Sequence, residues 1–169
     1  MNNIVFLAES WGNDVSHANR VAAQTHDARL HLFFCYWLSK CNGKRLPGRG
    51  DIDAIEMQAF LSIIILLQVE HNGGACRFRV RLAGTHLTDI FGRDVTGYDV
   101  DQICAPEIYG LLERVVERGE ACYGSSRGSI LGREFLRFEH LTLPLASDGA
   151  RVDMVLGALC RLQSIGDLP

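Results

Sequence analysis

The stretch HNGGACRFRVRLAGTHLTDIFGRDVTG, residues 71–97, decides the fold. Asn72-Gly73-Gly74 is a hairpin turn signal between two apolar segments. Before the turn, residues 63–69 form a continuous β-branched and aliphatic run, which predicts a strand buried on both faces. After the turn the residues alternate, which predicts a strand with one face on the core and one in water. Arg77, Arg79 and Arg81 stand on one face of this strand, and Phe78, Val80 and Leu82 stand on the other.

Two helices are predicted to follow the hairpin. The first is short, is capped by Thr85 and is closed by Gly92. The second begins at Pro106, in a first turn that tolerates proline, and ends at Gly119. Apolar residues share one face of each helix: Leu87, Ile90 and Phe91 in the first, and Ile108, Tyr109, Leu111, Leu112, Val115 and Val116 in the second.

Three more strands are predicted in the last third of the chain, at residues 122–131, 135–145 and 152–162. Ser147-Asp148-Gly149 is expected to join the last two as a tight hairpin. Pro144 requires a bulge or an end position within its strand, because proline lacks the backbone N–H.

Upstream of the hairpin, residues 15–40 predict one long helix or two shorter ones, rich in aromatic residues on one side. A short helix capped by Asp53 is predicted over residues 54–61. No element is predicted over residues 1–14, which carry no strong period. We therefore divide the chain into a helical extension, residues 1–45, and a second domain, residues 46–165.

Composition excludes several classes of protein. A net charge of −3 provides no basic field for nucleic acid. The six cysteines include no CxxC pair, which argues against a zinc site. The apolar run at residues 4–8 is too short for a signal peptide, and the run at residues 63–69 is too short to span a bilayer. We expect a cytoplasmic protein without a membrane span.

Three separated blocks of sequence resemble the single-domain PAS family of alphaproteobacteria. They are LPGRGDID at residues 46–53 followed by Glu56-Met57, LAGTHLTDIFGRDVTG at residues 82–97, and ASDGARVDMVLGAL at residues 146–159. Tyr36-Trp37 ahead of the first block also fits, and FGRDVTG resembles the turn that many PAS domains carry after the second strand. The resemblance covers residues 34–159.

The resemblance implies an α+β PAS fold with a five-stranded antiparallel sheet in the order 2-1-5-4-3. Helices would cover one face, with the N-terminal helix added, around a core that holds a ligand in some members. It also implies a bacterial sensory module without catalytic activity. With no kinase, cyclase or DNA-binding segment visible, such a stand-alone module is expected to signal through a partner protein in trans. Fold alone does not give function.

Candidate ligand-binding residues are polar or polarisable groups among apolar positions, expected to line a pocket for a small apolar ligand. The alternative is a filled core in which they contact one another. The cofactor is left unknown. Cys76-Arg77-Phe78 imitates the reactive-cysteine motif of flavin domains but lies on a predicted strand, and the long predicted helix offers no histidine for haem. The candidates are His86, Tyr98, Tyr109, Cys122, His140 and Met154.

Catalytic motifs are weak. Asp51, Asp53 and Glu56 are explained as loop caps, and Ser125-Ser126 has no neighbouring histidine in the sequence to activate it. One alternative function is a small α+β enzyme with a cone-shaped pocket, which needs an acidic base deep inside. The predicted strands offer only acids near their ends or on polar faces: Glu134, Glu139 and Asp153.

The aromatic N-terminal helix is the candidate interaction surface, through which a homodimer is expected. Its interface residues would be Phe33, Phe34, Tyr36 and Trp37. A ligand-free structural dimerisation module is the other alternative function. The charged loop residues are expected to pin loops rather than bind partners: Arg49, Asp51, Asp53, Arg93 and Asp94.

Overall fold

A computed structural model describes residues 3–7, 25–43, 45–127 and 137–162. The described helices are α1 (Ala28–Lys40), α2 (Thr85–Phe91) and α3 (Pro106–Arg118), with 3₁₀ turns at Arg49–Asp51, Gln58–Phe60 and Val100–Gln102. The described strands are β1 (Asn3–Leu7), β2 (Ile64–Asn72), β3 (Ala75–Ala83), β4 (Ala121–Arg127), β5 (Arg137–Leu145) and β6 (Met154–Leu162).

The strands form one antiparallel sheet in the order β1-β4-β5-β6-β2-β3. Counted from the first strand of the hairpin, β2 to β6 have the order 2-1-5-4-3, so the predicted five-stranded topology is confirmed. The strand β1 was not predicted. Its five residues pair with β4 at the sheet edge, from Asn3 opposite Ser125 to Leu7 opposite Ala121. A segment this short is specified by its partner strand, which a local periodicity does not reveal.

The two faces of the sheet pack against different helices. On β5, His140 and Thr142 point to one face while Glu139 points to the other, because successive side chains alternate. Cys122, which lies opposite Thr142, packs on Leu111 and Val115 of α3, so α3 covers the His140 face. The residues at the start of α1 contact the Glu139 carboxylate, so α1 covers the opposite face.

The helix α1 is bound to its face of the sheet by its aromatic side. Asp27 caps it by accepting a hydrogen bond from Arg29 N at 2.9 Å. Trp37 Nε1 donates to Pro144 O at 3.2 Å. Each fully buried large apolar side chain contributes about 1.5–3 kcal/mol relative to exposure. The buried residues of α1 recur at helical spacing: Leu30, Phe33, Phe34 and Trp37. The rest of the predicted helix, residues 15–24, lies outside the described residues.

The hairpin between β2 and β3 forms as predicted, with positive φ at Gly73 and Gly74. The face assignment of Leu82 was wrong. Leu67 pairs with Val80 but Leu66 pairs with Leu82, so Arg81 is an extra residue in β3. One inserted residue transfers the next side chain to the other face. Phe78 and Val80 are therefore buried on the α3 side, and Leu82 is 42% exposed.

Two short helices differ from the prediction. Residues 54–61 form turns and the 3₁₀ turn Gln58–Phe60, in which Phe60 N donates to Met57 O. Strand β2 begins at Ile64, only four residues after this turn. Thr85 is the first residue of α2, and Gly84 is its N-cap without a side-chain bond. A Cβ at Gly84 would stand 2.3 Å from Leu61 O, so this close approach requires glycine.

The start of β4, the end of β5 and both ends of β6 lie within two residues of the predicted positions. The predicted strand residues 128–131 and 135–136 lie outside the described residues, as do residues 132–134 and 163–169. Pro144 meets the predicted requirement for an end position. It lies opposite Val155 of β6 but beyond the last β4 pair, so its missing N–H leaves no β4 carbonyl unpaired.

Candidate functional site

A cavity of about 100 Å³ lies between the sheet and the helices α2 and α3. Its floor is formed by the side chains of β2, β5 and β6 that point away from α1, and its roof by α2, α3 and the turn between them. Most of its lining is apolar. The apolar side chains include Ile65, Leu67, Leu87, Phe91, Val100, Ile103, Ile108, Leu111, Leu112, Val155 and Leu159.

One corner of the cavity is polar. His140 and Thr142 follow each other on the same face of β5, and Ser126 of β4 also lines the space. Burial lowers the pKa of His140 to about 4, and the neighbouring Glu139 opposes this shift only in part. The imidazole is therefore neutral near pH 7, when it offers one hydrogen-bond donor and one acceptor.

One thiol, Cys104, also lines the cavity, from the segment before α3. Burial raises its pKa to about 12, so it is a neutral thiol rather than a nucleophile. A flavin or a haem does not fit this space as it stands, because pockets for ligands of that size hold about 300–1,000 Å³. The described residues also include no group of three or more His, Cys, Asp or Glu side chains that could hold a metal ion.

Of the six predicted ligand-binding residues, only His140 lines the cavity. His86 lines a separate, polar groove beside the start of α1. Tyr98 is 38% exposed beneath the Arg93 guanidinium. The other three are placed elsewhere: Tyr109 packs edge-on against Phe78 and donates to Cys76 O, Cys122 is buried against α3, and Met154 is half-buried at the start of β6.

Three of the four predicted interface residues lie inside the chain's own core. Phe33, Phe34 and Trp37 are fully buried, and Phe33 packs against Phe60 with ring centroids 5.3 Å apart. Tyr36 is partly buried, and its hydroxyl accepts a hydrogen bond from Asp53 N at 2.9 Å. The aromatic side of α1 therefore packs inside the domain, and these three buried rings offer no surface to a partner.

Glu139, on the opposite face of β5 from the cavity, was expected near a strand end or on a polar face. It is the third residue of β5 and so lies near the strand's start, but its face is not polar, because its side chain is fully buried. The carboxylate accepts hydrogen bonds from His26 N at 3.0 Å and Asp27 N at 3.2 Å, and from Tyr123 Oη at 2.8 Å. His26 Nδ1 lies 2.6 Å away. These bonds anchor the start of α1 to the middle of the sheet.

The charged loop residues make the local bonds expected of structural caps. Asp51 accepts from Gly48 N at 2.8 Å, and Asp94 accepts from Thr96 N at 2.9 Å. The remaining three are bonded similarly: Asp53 accepts from Ile55 N, Arg49 donates to Ile52 O, and Arg93 lies over the ring of Tyr98.

A cysteine and a histidine lie close together at the hairpin, where the sequence suggested no pair. Cys76 Sγ is 3.7 Å from His71 Nδ1, and His71 Nε2 lies 2.9 Å from Val152 O. This order of thiol, imidazole and orienting carbonyl is that of an activated nucleophile. However, burial and the charges of Glu113 and Glu117 raise the pKa of Cys76, and the cavity lies elsewhere. The pair therefore does not form a thiolate site.

Comparison with known proteins identifies the family. The PAS domain family matches residues 25–160, and the chain belongs to it. The matched residues include α1. No functionally curated protein matches the chain. Within the described residues, no helix has the length and apolar character needed to cross a membrane.

Solved structures of light-oxygen-voltage proteins are similar to the chain. One, studied with a flavin analogue, has a TM-score of 0.44 at 14% identity over 65% of this chain and 84% of its own. An RNA-binding light-oxygen-voltage receptor has a TM-score of 0.47 at 16% sequence identity, over 68% of this chain and 35% of its own length. The light-state LOV domain of the blue-light photoreceptor Aureochrome1 has a TM-score of 0.42 at 10% sequence identity, over 64% of this chain and 88% of its own length. Likenesses this distant carry no argument about a ligand.

Proposed function

We propose that this PAS domain is a non-catalytic sensory module that responds to a small molecule in its cavity and signals to a protein partner. The observation that supports the proposal is that β5 lies between the cavity and the helix α1. One face of β5 lines the cavity, and the other holds the first turn of α1 through Glu139. His140, which faces the cavity, is therefore the chain neighbour of Glu139, which anchors α1.

The alternative of a small enzyme with a cone-shaped pocket has less support. Such an enzyme needs an acidic base that faces its pocket, and Glu139 is the fully buried acid of β5. Its carboxylate faces α1 rather than the cavity and is already occupied by four hydrogen bonds. In the described part of the cavity lining, no side chain is acidic.

The link between cavity and α1 is tested without any ligand, by filling the cavity from the side opposite β5. Cys104→Leu adds apolar volume to the roof, and Cys76→Leu makes the same change at the hairpin, outside the cavity. We expect Cys104→Leu to move the amide NMR resonances of His26 and Asp27, whose N–H groups bond Glu139. Cys76→Leu should leave them in place. Unmoved resonances in a folded Cys104→Leu protein would contradict the proposal.

A partner in trans and a homodimer both stay proposals. Their direct measurement is native mass spectrometry, in which a bound ligand appears as added mass and a dimer as doubled mass. The sensory proposal would be contradicted if the protein is a monomer, carries no added ligand mass, and binds no partner either as the wild type or as Cys104→Leu. The domain would then be a structural module.

A further inference from the structure

Four polar residues are buried in the described structure, and they divide into two pairs. Asp99 and Glu139 are satisfied: Asp99 contacts two arginines of β3, and Glu139 accepts its four hydrogen bonds. His140 and Thr142 are 8% and 7% exposed, and neither side chain has a hydrogen-bond partner among the residues that the structure describes. Among the described residues, Glu120 Oε2 is the fully buried side-chain oxygen without a partner, so the polar atoms of His140 and Thr142 are instead open to the cavity. Polar groups left without a partner inside a folded protein require an explanation.

The two unsatisfied side chains share one location. They stand two residues apart on β5, so both point to the same face, and both line the cavity. On one side of each, the neighbouring sheet position carries no side chain, because Gly124 of β4 lies opposite His140 and Gly157 of β6 lies opposite Thr142. On the other side, Leu159 lies opposite His140 and Cys122 lies opposite Thr142. None of these neighbours has a side-chain nitrogen or oxygen, so the two polar groups are left to the cavity.

The size of the cavity limits its occupant. An apolar cavity of about 150 Å³ accommodates benzene, which has six non-hydrogen atoms, so about 100 Å³ holds a short chain of roughly four. No side chain that the structure describes in the lining carries a charge near neutral pH, since burial keeps the His140 imidazole neutral. A charged molecule would lose its hydration without an opposite charge in return.

We infer that the cavity binds a small neutral molecule with a short apolar chain and one hydroxyl group, for which 1-propanol is the probe. The hydroxyl hydrogen-bonds to His140 and Thr142, and the apolar part contacts the leucine, isoleucine and phenylalanine side chains of α2 and α3. A hydroxyl both donates and accepts, which matches a neutral imidazole beside a threonine. The inference rests on the proposed sensory function, because it names what that site senses.

Water is the competing occupant. A polar corner of this size can hold one or two ordered waters bonded to His140 and Thr142. Water alone would satisfy the same side chains, but it would not select among organic molecules. The test must therefore compare molecules that differ only in the hydroxyl or in charge.

The test uses calorimetric or NMR titration of the whole chain with 1-propanol, 1-chloropropane and propylammonium, which have the same number of non-hydrogen atoms. We expect 1-propanol to bind at least about tenfold more tightly than 1-chloropropane, since a buried hydrogen bond contributes about one factor of ten, and propylammonium not to bind. His140→Phe keeps an aromatic ring but removes both nitrogens and should erase the difference between 1-propanol and 1-chloropropane. Thr142→Val keeps the shape and should reduce it. His86→Phe, outside the cavity, should change nothing.

Equal affinity for 1-propanol and 1-chloropropane in the wild type, or no binding of either, would overturn the inference and leave water as the occupant. A preference for 1-propanol that survives in both His140→Phe and Thr142→Val would place the site elsewhere, which also overturns it. The Cys104→Leu experiment needs no ligand, so it can succeed when 1-propanol does not bind. A wrong ligand class is thereby distinguishable from a wrong function.

Discussion

Glu139 and His140 are consecutive residues of β5 whose side chains serve opposite faces of the sheet. Glu139 is held by His26, Asp27 and Tyr123 on the α1 side, and His140 faces the cavity on the α3 side without a hydrogen-bond partner in the described structure. The satisfied carboxylate and the unsatisfied imidazole therefore share one peptide unit. This arrangement links the candidate sensing site to the added helix.

The lowered pKa of His140 predicts a pH-dependent stability. The unfolded chain binds this proton below about pH 6.5, but the folded chain binds it only below about pH 4. Stability is therefore lost as the pH falls through this window, by about 3 kcal/mol in total. His140→Phe should lack this loss. Urea unfolding at pH 7 and pH 4.5 measures it, and parallel losses in the wild type and His140→Phe would contradict a neutral buried imidazole.

Glu139→Gln should release the start of α1. The amide group presents N–H donors to a site where backbone N–H groups already point, so at least one hydrogen bond to a charged acceptor is lost, at about 1.5–3 kcal/mol. Urea unfolding measures the loss, and hydrogen exchange should become faster at His26 and Asp27. Glu56→Gln removes an exposed ion pair with Lys40 and should destabilise the protein less than Glu139→Gln does. Equal effects of the two variants would show that Glu139 is no anchor.

The inward orientation of the α1 aromatic residues predicts which substitutions the fold tolerates. Trp37→Ala should reduce the free energy of unfolding by about 3–5 kcal/mol, because a fully buried ring is replaced by a cavity. Leu32→Ala, at a position 55% exposed, should change it by no more than about 0.5 kcal/mol. Chemical denaturation compares them. If Trp37→Ala leaves the free energy of unfolding unchanged, the inward orientation is contradicted and the aromatic side of α1 is again a candidate interface.

The thiols should be poor nucleophiles in the folded protein. Burial raises the pKa of Cys104, Cys122 and Cys160 to about 12, and the pKa of Cys76 is also raised. Iodoacetamide at pH 8 should alkylate these residues far more slowly in native protein than in urea, as mass spectrometry of digests can measure. Rapid native alkylation of Cys76 would indicate an activated pair with His71 and would reopen the question of catalysis.

The sequence predicted the order of the elements well, because hairpin glycines, alternation and helix ends are local signals. The exchange of face at Leu82 was not predictable, since the bulge at Arg81 is defined only by pairing with β2. The burial of Glu139 was missed because two of its donors, His26 N and Asp27 N, lie more than a hundred positions away in the chain. Thr142 was missed although a signal existed: it stands two residues after His140, between two leucines of the same strand.

Hydrogen exchange at the amides of His26 and Asp27, with and without saturating 1-propanol, tests the central claim most directly. We predict that exchange becomes at least about fivefold slower, because an occupant that satisfies His140 and Thr142 stiffens β5 and so the anchor at Glu139. The same measurement on His140→Phe should show no effect of 1-propanol. Unchanged exchange in the wild type at confirmed saturation would contradict a link between the cavity and α1.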